Sequence, residues 1–524
     1  MARHGKRYGD GSDRGAGRLV RLLVVGCFVL TSGLPAAVAP CAAAGEEKFK
    51  PTVESLRQYK CPEWFRDAKF GMYAQWNPYT VATGDGAWDG WYARNLYRYG
   101  TPSYDHHIKH YGHPSKVGYK DIIEMWKAEK FDPDRLVAIC KDAGAKYIAP
   151  LAVHHDNFDM YNSRYHKWNS VNHGPKKDIV GLWREAILKQ GLRFGVTTHN
   201  SRSYSWFQTN KGSDRGGPLK GVPYDGNDPK YKDLYHEKCS DSSKDSPVNP
   251  PESWRKQWAL RTKDLIDQYQ PDLVYFDAAV PFRGDDQGRT GMEVFAHFYN
   301  QNMNWHGGKL EGVITTKPYA VCGVLIDGIT TINGEGHQVE VAADVPWQIC
   351  LPVSNYFWKP NVPCRPAEFF INHLVDIVSR NGNLLVSIPI TTDGTLDKDA
   401  EYVMYGIGEW LKVNGEAIYG TRPRPKDFRS EGETVRFTRS KDNKTIYAIC
   451  LAWPERQLVL KTVVAERNSK IFMLGYDKPL SWQQDAEKGL VIKMPAQLDR
   501  HEFRKGYRPC RHAWSFKIEG HDAE

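Results

Sequence analysis

Trp254-Arg255-Lys256-Gln257-Trp258 opens a helix-patterned stretch that runs to Tyr269, and Leu273-Val274-Tyr275-Phe276-Asp277 follows it. The first segment is amphipathic. The second is a short apolar, β-prone run that stops on a carboxylate. The same unit occurs twice upstream. A helix around Asp134–Ala143 leads to the strand Tyr147–Val153 and then His154-His155-Asp156. A helix around Ile179–Gln190 leads to the strand Arg193–Thr198 and then His199. Helix–strand units in series predict a parallel sheet with helical crossovers. In a (β/α)8 barrel, side chains at the carboxyl ends of the strands share one mouth. Asp277, His154, His155 and His199 are therefore expected to meet there, although they are far apart in the chain.

Outward from these units, Phe70–Ala74 reads as the first barrel strand and ends at Gln75-Trp76-Asn77. Residues 77–120, rich in Gly, Tyr, Trp and His, read as a long loop region over the mouth. Residues 200–252 form a polar stretch, too long for a plain connection. It leaves the carboxyl end of a strand and is expected to wall the site. The helix Glu368–Ser379, the strand Asn383–Pro389 and the helix Lys398–Asn414 close the barrel. After Arg424 the texture changes to short β-prone runs at Val435–Thr438, Thr445–Leu451, Leu458–Val463, Ile471–Leu474 and Leu490–Lys493. Their spacing predicts a small β-sandwich. The expected organisation is a leader over residues 1–44, a barrel domain over 45–424 and a β-sandwich over 425–524.

The leader follows from Arg14, Arg18 and Arg21, which precede the apolar run Leu22–Leu30, with small residues through Ala44. That is a secretory signal pattern, with cleavage expected after Ala44, and it implies periplasmic or extracellular residence. The apolar run is too short for a lasting membrane anchor. Residues 1–44 hold six Lys/Arg and two Asp, so their loss takes the formal charge from +9 to +5. So small an excess gives no basis for nucleic-acid binding. Eight cysteines remain, without the paired CxxC spacing of a zinc site. The sequence assigns neither their pairing nor an oligomeric state.

A carboxylate such as Asp277, at a strand end among aromatic neighbours, can act as a nucleophile in glycoside hydrolysis; capping a loop is the structural alternative. A retaining glycosidase needs a second carboxyl ~5–5.5 Å away. Asp327, Glu335 and Glu340 are the candidates, with Glu335 read as a loop residue between Gly334 and Gly336. Successive strand residues face opposite sides, so His154, His155 and Asp156 are not expected to share a metal. The two histidines instead suit hydrogen bonds to sugar hydroxyls, with Asp156 fixing their tautomers. Neither metal nor cofactor is expected.

Several ordered blocks resemble glycoside hydrolase family 29, the α-L-fucosidases. They are Trp64–Gly71, His154-His155-Asp156-Asn157-Phe158, Asn162-Ser163-Arg164-Tyr165, Trp168-Asn169-Ser170, Gly174–Asp178, Asp272–Asp277, Asn381–Leu385 and Val413–Gly420. The resemblance implies a (β/α)8 barrel followed by a β-sandwich, a retaining mechanism, Asp277 as nucleophile and a glutamate as acid/base. The chain is most similar to the long-loop subgroup, around Lys220–Gly226. There the glutamate stands a dozen residues before Pro-Trp-Gln, which points from Pro346-Trp347-Gln348 back to Glu335. Gln75, His154 and His155 would hold ring hydroxyls. Trp76, Trp88, Trp91 and Tyr275 would offer an apolar side to the C6 methyl. The chain departs from the family pattern in three places. Gln75-Trp76-Asn77 replaces His-Trp-Gly, Val153 replaces a common Lys, and Thr197-Thr198-His199 replaces Tyr-Tyr-Ser. His199 thus marks a position where specificity changes. The implied function is a secreted exo-α-L-fucosidase acting on fucosylated glycans or polysaccharides. Two alternatives stand beside it: a glycosidase for another α-L-sugar such as L-galactose, and a catalytically silent glycan-binding homologue.

Overall fold

The computed structural model describes residues 48–87, 91–278, 280–318, 328–336, 345–498 and 508–521. Eight parallel strands close into a barrel in chain order: β1 (Phe70–Ala74), β2 (Tyr147–Val153), β3 (Arg193–Thr198), β4 (Leu273–Phe276), β5 (Val313–Thr316), β6 (Thr331–Glu335), β7 (Trp347–Pro352) and β8 (Gly382–Ser387). β8 returns to β1, with Phe70 opposite Leu384. Helices Pro133–Asp142, Ile179–Lys189, Glu252–Tyr269, Arg289–Trp305, Ala367–Ser379 and Lys398–Asn414 belong to the crossovers. Apart from the polar β6, the strands are largely apolar and buried on both faces, as helix-covered parallel sheets are.

Alternation divides the strand side chains between two cores. Phe70, Met72, Ile148, Phe194, Val274, Phe276, Ile314, Leu384 and Val386 face the helices. Tyr73, Tyr147, Ala149, Leu151, Leu273, Tyr275, Val313, Cys350 and Leu385 face inward, over Phe65 and Ala68 of the helix Glu63–Ala68. The interior also carries a polar chain. The Tyr147 hydroxyl donates to Gln348 at 2.6 Å, and the Gln348 amide donates to Asn333 at 2.7 Å.

The stretches read as loops over the mouth hold short helices instead, at Tyr79–Gly84, Tyr92–Asn95, Pro102–His110 and Tyr119–Met125. They lock to residues 200–252 through buried tyrosine–aspartate pairs. Tyr97 donates to Asp225 at 2.7 Å, and Tyr104 donates to Asp214 at 2.7 Å. Trp206, Phe207, Leu234 and Tyr235 of the same segment are buried in the main core, so apolar packing and internal polar partners order it together. Beyond residue 424, antiparallel strands form two sheets. One orders Ser430–Glu431, Val435–Arg439, Thr445–Cys450, Trp514–His521 and Ala465–Met473. The other orders Gln457–Leu460, Gly489–Lys493 and Trp482–Asp485. The seven described cysteines are all free.

Gly71 sits on the inward face of β1, paired with Tyr147, and a Cβ built there would meet that ring at 2.3 Å. The glycine makes room for the aromatic ring in a crowded interior. Gly71→Ala should therefore lower unfolding stability by about 1–3 kcal/mol through overpacking. Denaturant unfolding of the variant checks this, and an unchanged midpoint would contradict it.

Candidate active site

The inward rows end in polar residues at one level of the barrel mouth. Gly71, Tyr73 and Gln75 form one row; Gly195, Thr197 and His199 another; Leu273, Tyr275 and Asp277 a third; Val313, Thr315 and Lys317 a fourth; Asn333 and Glu335 a fifth. The β2 row differs. Its register against β3 shifts by one residue between Leu151 and Val153. An extra residue of this kind re-aims the side chains beyond it. His154 takes the inward parity, and because β2 ends at Val153, His155 turns in as well. The ring centroids of His154 and His155 lie 4.3 Å apart, and that of His199 lies 4.8 Å from His154. Strand alternation therefore does not separate the two histidines.

Asp277 is the centre of the site. It is 8 % exposed. Its Oδ1 accepts a hydrogen bond from the Tyr275 hydroxyl at 3.2 Å and lies 2.9 Å from Lys317 Nζ. Its Oδ2 lies 3.0 Å from His199 Nδ1 and 3.5 Å from His155 Nε2. The same Lys317 ammonium donates to Glu335 Oε2. Burial pushes the Asp277 carboxyl up, but Lys317 and then His199 outweigh it and hold the group well below the usual carboxylate range. Lys317 also disfavours its own charge by burial, yet Asp277 and Glu335 raise it above an ordinary lysine. Glu335 is the solvent-facing member, its side chain 42 % exposed.

The imidazoles are fixed from behind. His155 Nδ1–H donates to the His199 carbonyl at 2.7 Å, which leaves Nε2 facing Asp277. The Gln75 amide donates to His154 Nε2 at 3.3 Å, and His154 Nδ1 meets the Tyr79 hydroxyl at 3.3 Å. His199 Nε2 meets the Tyr73 hydroxyl at 3.2 Å. Burial, joined by neighbouring positive groups, holds His154 and His155 well below the ordinary imidazole range, so both are neutral at pH 7. Trp206 from the long polar segment packs on His155 with centroids 5.4 Å apart, and Trp91 approaches the same ring at 6.3 Å.

Some sequence expectations change. Glu335 ends β6, opposite Cys350 of β7, rather than lying in a loop; the strand stops at Gly336, whose φ is +66°. Trp76 has outward parity and packs between Trp126 and Phe131 as core, not as pocket wall. Tyr275 lies beneath Asp277 and positions it, rather than presenting a free apolar face. Asp156 turns away from both histidines to Asn77, Tyr119 and the Phe158 N–H, and burial pushes its carboxyl up to about 7. Trp88, Asp327 and Glu340 lie outside the described residues. Lys317 escaped the sequence reading. Its signal was present in the alternation Val313-Ile314-Thr315-Thr316-Lys317, which follows the amphipathic helix Arg289–Trp305.

A family model described as Alpha-L-fucosidase matches residues 36–416, and a second, Alpha-L-fucosidase C-terminal domain, matches residues 429–519. The chain belongs to the α-L-fucosidase family. Plasma alpha-L-fucosidase of Homo sapiens is 28 % identical over 504 residues, covering 91 % of this chain and 94 % of that one. Tissue alpha-L-fucosidase of Bos taurus is 27 % identical over 511 residues, covering 95 % and 98 %. Among solved structures, Thermotoga maritima alpha-fucosidase in complex with a mechanism based inhibitor superposes with a TM-score of 0.70 at 25 % identity, covering 90 % of this chain and all of that one. The same enzyme in complex with fucose gives 0.68. The barrel and the antiparallel sheets are thus the fold of the α-L-fucosidase family, and the chain is a glycoside hydrolase.

The depressed Asp277 carboxyl stabilises the fold above the unfolded-state value of about 4, and this contribution is lost as pH falls through the native value. Lys317→Met removes the largest cause and leaves a buried carboxylate without its ammonium partner. At pH 7 the variant should lose about 3–5 kcal/mol, and the loss should shrink toward pH 4 as Asp277 takes up a proton. Urea unfolding at the two pH values checks this. An equal loss at both would contradict the assignment of the shift to Lys317.

Proposed function

We propose that this chain is an exported, exo-acting, retaining α-L-fucosidase that releases L-fucose from glycans or polysaccharides. The observation that carries the mechanism is the ammonium shared by Asp277 and Glu335. Two oxygens bound to one ammonium lie within roughly 5–6 Å of each other. That agrees with the ~5–5.5 Å of a retaining pair and is tighter than the ~6.5–9.5 Å that admits water in an inverting one.

Asp277 Oδ1 is held by Tyr275 and Lys317, so Oδ2 is the attacking oxygen. It forms a bond to the anomeric carbon while the glycosidic C–O bond breaks, and Glu335, having taken a proton from solvent on its open side, gives it to the leaving oxygen. Glu335 is suited to this step because it faces the open side. With Asp277 esterified, Glu335 is the remaining anionic partner of Lys317, and it takes a proton from the attacking water. The Asp277–sugar bond then breaks and the carboxylate returns. His155 Nε2 is an acceptor because Nδ1–H is committed to the His199 carbonyl. It suits a sugar O–H, as do His154 and Gln75 beside it. The narrow, ring-lined site around a buried carboxylate fits a terminal sugar.

The relatives in Homo sapiens and Bos taurus, both alpha-L-fucosidases, point the same way. Aryl α-L-fucoside turnover, compared with aryl α-L-galactoside, tests the reading. Fucoside should be preferred. Asp277→Ala should lose on the order of 10⁴-fold or more in kcat. Glu335→Ala should lose about 10²–10⁴-fold and recover with azide on an activated substrate. Turnover of neither sugar by folded protein would contradict the enzyme reading, and wild-type rates in Asp277→Ala would contradict the nucleophile. Export rests on the arginine-then-apolar pattern of residues 14–44. The mature protein from its host should begin at Gly45, and an intact Met1 terminus would contradict that.

A further inference from the structure

His154, His155 and His199 each present a ring nitrogen to one small volume, and these atoms lie within 4.8 Å of one another. Asp277 Oδ2 faces two of the three rings, at 3.0 and 3.5 Å. The detail that matters is the mismatch at this centre. His155 Nδ1–H is committed to a carbonyl, so in the neutral ring Nε2 is an acceptor, and it faces a carboxylate oxygen, another acceptor. His199 Nδ1 is buried and faces Oδ2 at 3.0 Å, as a donor in one tautomer and as a second acceptor in the other. In the tautomer that carries the His199 proton on Nε2, toward Tyr73, the lone pairs of both rings and of Oδ2 converge on one point. A hydroxyl can fill such a point, and so can a cation.

We propose that the mouth of this barrel is also a transition-metal site, in which His154, His155, His199 and Asp277 Oδ2 hold one divalent ion of the Zn2+ class. Three imidazoles and a carboxylate are a donor set for Zn2+, Co2+, Ni2+ or Cu2+ rather than for Mg2+ or Ca2+. Zn–N bonds of about 2.0–2.1 Å place tetrahedral donors about 3.3–3.4 Å apart, so donors up to 4.8 Å apart need to close by up to about 1.5 Å. His154 gives up only a long 3.3 Å bond from Gln75 to do so. The carbonyl behind His155 is the outer partner that orients a ligating imidazole. Lys317 holds Oδ1 and leaves Oδ2 to the ion. His199 completes the trio. A residue without a ring nitrogen there would leave two histidines, too few for a tight site.

The consequence for catalysis, which rests on the glycosidase reading, is inhibition. An ion on Oδ2 occupies the attacking oxygen and the hydroxyl acceptors together, so Zn2+ should compete with substrate and EDTA should restore the rate.

Binding is tested without activity. His106 and His110 stack with centroids 4.2 Å apart on the helix Pro102–His110 and offer a second place for an ion, so the titrations use His110→Gln protein. Chelator-treated protein is titrated with Co2+, reading the visible ligand-field bands, and with Zn2+ by calorimetry. One ion per chain, with the intense bands of four-coordinate Co2+, is expected. His199→Phe should weaken the affinity by on the order of 10- to 100-fold or more. Thermal unfolding establishes that the variant is folded. Anomalous diffraction from Zn2+-soaked wild-type crystals gives a second reading, with a peak expected between His155 Nε2 and Asp277 Oδ2. No binding at millimolar Co2+, unchanged affinity in folded His199→Phe, or an anomalous peak elsewhere alone would overturn the proposal.

Discussion

The carboxylate of Asp277 is almost fully buried, and a buried carboxylate without a counter-charge would protonate or destabilise the fold. Lys317 supplies that charge at 2.9 Å and reaches Glu335 with the same ammonium. The interaction needs two adjacent strands in register, β4 bearing the acid and β5 the base. They pair Leu273 with Val313 and Phe276 with Thr316, so the next residues, Asp277 and Lys317, arrive at the same height. A slip of one residue in either strand would turn one charge into the helix layer and leave the other unpaired. The electrostatics of the site and the closure of the barrel are therefore one constraint.

The same geometry sets the chemical character of the mouth. Below it two of the inward rows are apolar or aromatic: Leu273 and Tyr275 under Asp277, and Gly71 and Tyr73 under Gln75. One step higher every row becomes polar. Tyr73 and Tyr275 are the hinge between the regimes, with rings in the core and hydroxyls bound to His199 and Asp277. A site built this way has its reactive groups fixed by strand positions, not by loops. The long segments after β1 and β3 then add Tyr79, Trp91 and Trp206 as walls around fixed chemistry.

The barrel was legible because three of its units carry strong amphipathic helices before apolar strands, and the sequence reading of β1, β2, β3 and β4 has the same residues as the structure. β6 was hidden. Thr331-Ile332-Asn333-Gly334-Glu335 has few apolar residues because its inward positions are polar and its glycine packs beside β7, so local composition imitated a loop. Lys317 was missed for a related reason, since a lysine after two threonines looks like surface until its strand is known to be central. The convergence of His154 with His155 depends on an irregularity in β2 that no periodicity argument contains. Trp76 was misplaced although alternation from Gln75 already sent it outward. In the C-terminal sheets the runs with buried residues were legible. Trp482–Asp485 was not, being polar and only partly buried.

In the proposed mechanism Asp277 attacks the sugar from the end of β4, beside the Lys317 ammonium. A 2-deoxy-2-fluoro-α-L-fucosyl fluoride measures this most directly, because the 2-fluorine slows both formation and hydrolysis of a glycosyl-enzyme while the anomeric fluoride, a good leaving group, keeps formation fast enough for the intermediate to accumulate. Intact-mass analysis should show one added fluorosugar per chain, and digestion should place it on the peptide spanning Leu273–Ala278. Consumption of the fluoride without any adduct, or an adduct on Glu335 or another carboxylate, would contradict the account.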